Sequence, residues 1–146
     1  MMGSSISTKF IIVFLVFLCG YLLIQKQRSY YSDKHPVLDK LRESLAKLDP
    51  EYAKIPLKIG TSAYTENKET ITMCLQDPKT GEYYDWNTLT YVLLHEVAHL
   101  ISKHTKGHEG EFPANFAKLL VRATKAGIYD PRKGVQLSYC GTGPNN

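Results

Sequence analysis

The sequence predicts an α+β domain carried behind an N-terminal apolar helix. Three observations predict it. Residues 10–24 form a charge-free apolar run, short stretches between residues 55 and 75 read as strands, and a later amphipathic helix carries His95-Glu96-Val97-Ala98-His99. The expected domain is a short antiparallel sheet packed on that motif-bearing helix. Residues 1–28 are read as a membrane anchor or signal segment, 29–36 as a linker and 37–146 as the domain. A chain of 146 residues fits one such domain. Its composition excludes collagen-like, coiled-coil, low-complexity and wholly disordered classes.

The charge divides unevenly. Lys9, Lys26, Arg28 and Lys34 against Asp33 place three of the four surplus positive charges around the apolar run. The remainder is nearly neutral, so net charge offers no case for nucleic-acid binding.

The apolar run, Phe10 to Ile24, holds thirteen strongly apolar side chains beside Cys19 and Gly20. As a helix it spans roughly 22 Å, short of a hydrocarbon core of about 30 Å. Thr8 and Gln25 can extend it, while Lys9, Lys26 and Arg28 can snorkel outward. Tyr21, Tyr30 and Tyr31 suit the headgroup level. A cleaved signal peptide is the alternative, but small residues in an A-x-A-like pattern are missing around Cys19 and Gly20. The expectation is a single-pass membrane protein, or a secreted one should the segment be cleaved. Orientation is a tie under the positive-inside rule.

The elements of the domain follow in order. Val37, Leu38, Leu41, Leu45 and Leu48 make a helical stripe that stops at Asp49-Pro50. Ile55, Leu57 and Ile59 alternate before Gly60 and read as a strand. Residues 61–69 are polar; Thr70–Leu75 reads as a second strand, an edge strand able to take an added peptide strand. Asp77–Gly81 is a turn by its Pro and Gly chemistry, after which Tyr83 and Tyr84 could extend a hairpin. Asp85 or Asn87 can cap a helix from Thr88 to about Lys103. A last helix runs from about Pro113 to Ala126, with Gly127 as its stop. Residues 128–146 carry few periodic cues and read as surface cover. Cys74 and Cys140 form either one disulfide or two half-buried thiols.

The chemistry lies in His95-Glu96-Val97-Ala98-His99. Two histidines four apart project about 40° apart on one side of a helix, so both can reach one Zn²⁺. Glu96 is turned about 100° from His95 and suits proton transfer rather than ligation. Five letters of this kind do arise by chance. Here, however, they sit on an apolar-faced helix, where two buried imidazoles without partners would be costly.

A catalytic zinc site keeps three protein ligands and one open position. His104 lies about 140° from His99 on a continuing helix, pointing elsewhere unless the helix breaks at once. His108 lies between Gly107 and Gly110, and a glycine-bearing turn can aim it back, which favours it. Glu109, Glu111, His104 and Asp130 remain alternatives. His104, Tyr129 and Tyr139 are candidate oxyanion donors by residue type. Tyr83, Tyr84 and Trp86 read as core contacts before they read as a substrate cleft.

These residues, followed by Phe112 and the Phe116–Leu120 stretch, resemble the WLM and SprT-like group of zinc metallopeptidases over roughly Tyr83 to Gly127. The resemblance implies a zincin-like fold, His95, His99 and His108 as ligands of one Zn²⁺, Glu96 as general base and Phe112 as a packing residue. It implies a zinc metalloendopeptidase that hydrolyses peptide bonds with a Glu-activated, zinc-bound water. The substrate would be a protein or peptide, with membrane attachment through residues 10–24 and no nucleic-acid partner. The apolar N-terminus and the lack of a basic tail depart from the group's nuclear repair members. The competing readings are a catalytically inactive, zinc-stabilised binding domain tethered to a membrane, and a metal-free membrane protein with an accidental motif.

Overall fold

A computed structural model describes residues 3–29, 32–103, 107–136 and 138–141. The chain divides into two compact units, residues 1–31 and 32–146. The first holds helix α1, Gly3–Ser29. Its stretch Ser7–Ile24 is long and apolar enough to be a membrane span or a signal sequence. Tyr30 and Tyr31 lie outside the described residues.

The second unit is a mixed α+β domain. Helix α2, Pro36–Leu48, starts where Nδ1 of His35 accepts the Val37 N–H at 3.2 Å, with Pro36 in the first turn. It buries Leu38, Leu41 and Leu45. Three strands follow: β1 Leu57–Ile59, β2 Tyr64–Glu66 and β3 Thr70–Met73. Helix α3, Trp86–Ile101, and helix α4, Phe112–Lys125, complete the frame. One core joins Leu57, Ile71 and Met73 of the sheet to Leu89, Leu93, Leu94 and Val97 of α3 and Leu119 of α4.

The sheet corrects two expectations. It is mixed rather than antiparallel, in the order β1-β3-β2. β1 runs parallel to β3 with Leu57 opposite Ile71, and β2 runs antiparallel to β3 with Thr65 opposite Ile71. The reason is that the chain reverses twice between β1 and β3, once on each side of β2, and two reversals restore the first direction. The second reversal is tight: Asn67 and Lys68 both take positive φ, and the Glu69 N–H reaches the Glu66 carbonyl at 3.0 Å. The polar stretch 61–69 thus contains strand β2. β3 is consequently the central strand, buried throughout, and not an edge. Gly60 is required where β1 ends, because a Cβ there would stand 2.5 Å from Cγ2 of Thr72.

Two further expectations shift. The Tyr83–Tyr84 strand reduces to a single bridge between Gln76 and Tyr83. The tail past α4 is more than cover. Gly127 ends α4 as expected, with φ +71, but Ile128, Tyr139 and Cys140 are buried. Cys140 is disulfide-bonded to Cys74. The Tyr139 hydroxyl accepts the Cys74 N–H at 3.0 Å and donates to the Cys74 carbonyl. At the other end of the domain, residues placed in the linker take part in the fold. Ser32 Oγ accepts the Leu57 N–H at 2.8 Å, and an Asp33 carboxylate oxygen accepts the Ile59 N–H at 2.8 Å.

Candidate metal centre

Helix α3 is fixed at both ends before its site residues are considered. Asp85 is the cap: one carboxylate oxygen accepts the Thr88 N–H at 2.9 Å and the other accepts the Thr88 hydroxyl at 2.6 Å. Asn87, the other expected cap, instead holds the loop after α4. Its amide donates to the carbonyls of Asp130 and Lys133 at 3.1 Å each. At the far end Lys68 Nζ donates to the carbonyls of Ser102 and Lys103 at 2.7 and 2.9 Å. A cation at a helix C-terminus meets carbonyls that the helix itself leaves unbonded. Asn115 of α4 donates to Ser102 Oγ at 2.9 Å, so α3 ends against the helix that follows it.

Between these fixtures Leu89, Leu93, Leu94 and Val97 face the core, and His95 and His99 turn to a half-buried rim. Past α3 the chain crosses Gly107 and Gly110, both at positive φ, and returns His108 to the same place. The Nε2 atoms of His99 and His108 lie 3.1 and 3.0 Å from Nε2 of His95. The ligand atoms of the three residues all fall within 4.8 Å of one another. A tetrahedral ion with bonds of about 2.0–2.1 Å separates its ligand atoms by roughly 3.3 Å, close to the two separations measured from His95 Nε2.

The rings are held by aromatic packing. Phe112 is buried, and its ring centroid lies 4.9, 4.3 and 4.9 Å from those of His95, His99 and His108. Phe116 stands 5.3 Å from His95 and 5.2 Å from Tyr91, one turn earlier on α3. Burial also shifts the titration of two of the rings. Burial first, then the neighbouring His99 and His108, pulls the His95 pKa down to about 4. His99 is lowered as well, by burial, then His108 and Lys68. Both therefore favour the neutral form, the form that offers a lone pair to a metal.

Glu96 is 6% exposed, on the side of α3 toward the sheet. The Thr65 hydroxyl lies 2.9 Å from its Oε2. Burial raises the Glu96 pKa, and the Thr65 hydrogen bond opposes that rise. Thr65 was not singled out from sequence. The available signal was the Tyr64-Thr65-Glu66 run of strand-forming letters before a turn.

The remaining candidates go elsewhere. Asp130 pairs with Arg132 at 3.0 Å, and Glu109 and Glu111 are exposed; none belongs to the histidine cluster. His104 lies outside the described residues. Tyr139 is tied to Cys74 inside the core, where burial pushes its phenol up. Tyr129 packs 6.0 Å from Tyr91. Tyr84 is also a core residue, its hydroxyl accepting the Cys140 N–H at 2.7 Å.

Similar chains are viral. The uncharacterized protein 136R of Invertebrate iridescent virus 6 is 40% identical over 90 residues, 60% of this chain and 50% of that one. The uncharacterized protein 042R of Invertebrate iridescent virus 3 is 42% identical over 78 residues, 53% of this chain and 48% of that one. An uncharacterized protein of Acanthamoeba polyphaga mimivirus is 29% identical over 99 residues, 68% of this chain and 49% of that one. The chain thus spans about half the length of the curated relatives it matches. No protein-family model matches the chain, and no solved structure does.

Proposed function

We propose that this chain is a zinc-dependent metalloendopeptidase of the WLM and SprT-like kind, zincin-like in fold and anchored to a membrane by residues 10–24. The observation that carries the reading is the convergence of three imidazole nitrogens, from His95, His99 and His108, with the buried Glu96 following His95 on α3. Three imidazole nitrogen donors fit Zn²⁺ and leave one coordination position to spare.

His95, His99 and His108 would hold the ion, and Phe112 fixes the planes of their rings. When bound, zinc supplies a Lewis acid that acidifies water and polarises a carbonyl. Glu96 takes a proton from the attacking water on a carboxylate oxygen and passes it to the departing amine. Its burial suits this work, because a carboxylate out of bulk water has a raised proton affinity. The substrate is a protein or peptide. Nothing in the charge of the domain favours nucleic acid.

A zinc-stabilised binding domain without catalysis is the competing reading. The buried Glu96 counts against it, since a structural site has no use for a base. Purified full-length protein is the material for the test. The reading predicts close to one zinc per chain and cleavage of casein that Glu96→Gln abolishes while zinc is retained. Zinc far below one per chain removes both readings; equal cleavage by Glu96→Gln removes the base.

A further inference from the structure

The polar stretch 61–69 carries a side chain that reaches the proposed base. Thr65 stands on β2, opposite Ile71 of β3. Side chains alternate across a strand, so Thr65 turns toward α3 while Tyr64 and Glu66 are exposed. Its Oγ1 lies 2.9 Å from Oε2 of Glu96 and 3.1 Å from the Glu96 carbonyl oxygen. A threonine hydroxyl has one proton to give. The carboxylate is the stronger acceptor, because hydrogen bonds to an ionised group exceed neutral ones.

The hairpin bearing Thr65 is fastened to the same helix a second time, where Lys68 Nζ meets the carbonyls of Ser102 and Lys103. Thr65 therefore does not drift relative to α3. A glutamate side chain otherwise spreads over several rotamers. Fixing one carboxylate oxygen fixes the direction of the other.

We propose that Thr65 is a positioning residue for Glu96, holding Oε2 so that Oε1 is presented to the reacting water. The inference rests on Glu96 acting as general base. In the proton transfer, Oε1 gains the proton of the water and later releases it to the amine, while the Thr65 proton stays where it is. The balance needs no further reactant.

The test uses full-length protein with Thr65→Val, which keeps shape and removes the donor, and Thr65→Ser, which restores it. Thr65→Val should hold zinc as the parent does. Its kcat on casein-derived peptides should fall about tenfold with KM within twofold, and Thr65→Ser should recover at least half the rate. A readout without turnover accompanies it. In metal-free protein, Thr65→Val should lower the folding constant at least about tenfold, the low end for a hydrogen bond to a charged group. The same change on a Glu96→Leu background should lower it less than twofold. Parent-like kcat in Thr65→Val, beside an inactive Glu96→Gln, overturns the role of Thr65 and leaves the base standing. A zinc-loaded parent that cleaves no peptide overturns the hydrolase reading and the positioning role together. Activity that falls only as zinc is lost, or an equal stability loss on both Glu96 backgrounds, also overturns the proposal.

Discussion

Removing the ring of Phe112 should unsettle the whole histidine cluster. Phe112 is 4% exposed and meets all three imidazoles at centroid distances from 4.3 to 4.9 Å. Burying a phenylalanine removes about 150–200 Å² from water, which at about 25 cal/mol per Å² is worth about 4–5 kcal/mol. Measured Phe→Ala losses in cores run about 3–5 kcal/mol, in agreement. Against a typical domain stability of about 5–15 kcal/mol, Phe112→Ala should remove about a fifth or more. The rings would also lose the wall that orients them, and losing such support lowers metal affinity by about 10–100-fold. Urea unfolding of full-length protein in chelator gives the first number, and competition against a zinc-binding dye gives the second. Phe112→Leu, nearer in volume, should cost less than about 1.5 kcal/mol. A loss under about 1 kcal/mol for Phe112→Ala, with zinc affinity within threefold of the parent, would refute the idea that packing holds the histidines together.

Other perturbations have equally definite outcomes. His108→Ala should lower zinc affinity at least a hundredfold in dye competition, and His104→Ala by less than threefold; the reverse ranking would move the third ligand. Breaking the Cys74–Cys140 bond by double serine substitution should cost about 4 kcal/mol in urea unfolding, since it releases a loop with a sequence separation of 66. In chelator, stability should decline as pH falls from about 6.5 toward about 4. The His95 pKa in the fold lies below the ordinary value, so the neutral form stabilises the fold above 6.5 and that contribution fades as pH approaches about 4. A urea midpoint that rises over this range would contradict the burial assigned to that ring.

The legible parts of the sequence were those whose signal is local. The stripe of α2, the capped and apolar-faced α3, and the Gly127 stop of α4 each repeat or terminate within a few residues, and the structure places them within about two residues of expectation. His95 and His99 were readable because helix geometry alone sets their relation. His108 was readable because Gly107 and Gly110 supply positive φ on either side of it. The strand Tyr64–Glu66 was not, since three residues with two exposed side chains carry no apolar period. Its stability comes from pairing with β3 and from the ties of Thr65 and Lys68 to α3. The Thr65–Glu96 contact spans 31 positions and leaves no local trace. The sheet's parallel pair was misread for the same reason: its direction depends on counting reversals, one of which was hidden in the polar stretch. The burial of Tyr139 and Cys140 likewise rests on partners more than fifty residues away.

The covalent tie between the centre of the sheet and the tail carries a consequence for cell biology. Bonds of this type persist in oxidising surroundings and are rare where glutathione keeps thiols reduced. In a reducing cytosol the tail would rely on the burial of Ile128 and Tyr139 and on hydrogen bonds such as those with Tyr139, Tyr84 and Thr88. The redox state of this one cysteine pair in protein taken from its native setting therefore reports which compartment the domain has occupied, whatever its activity.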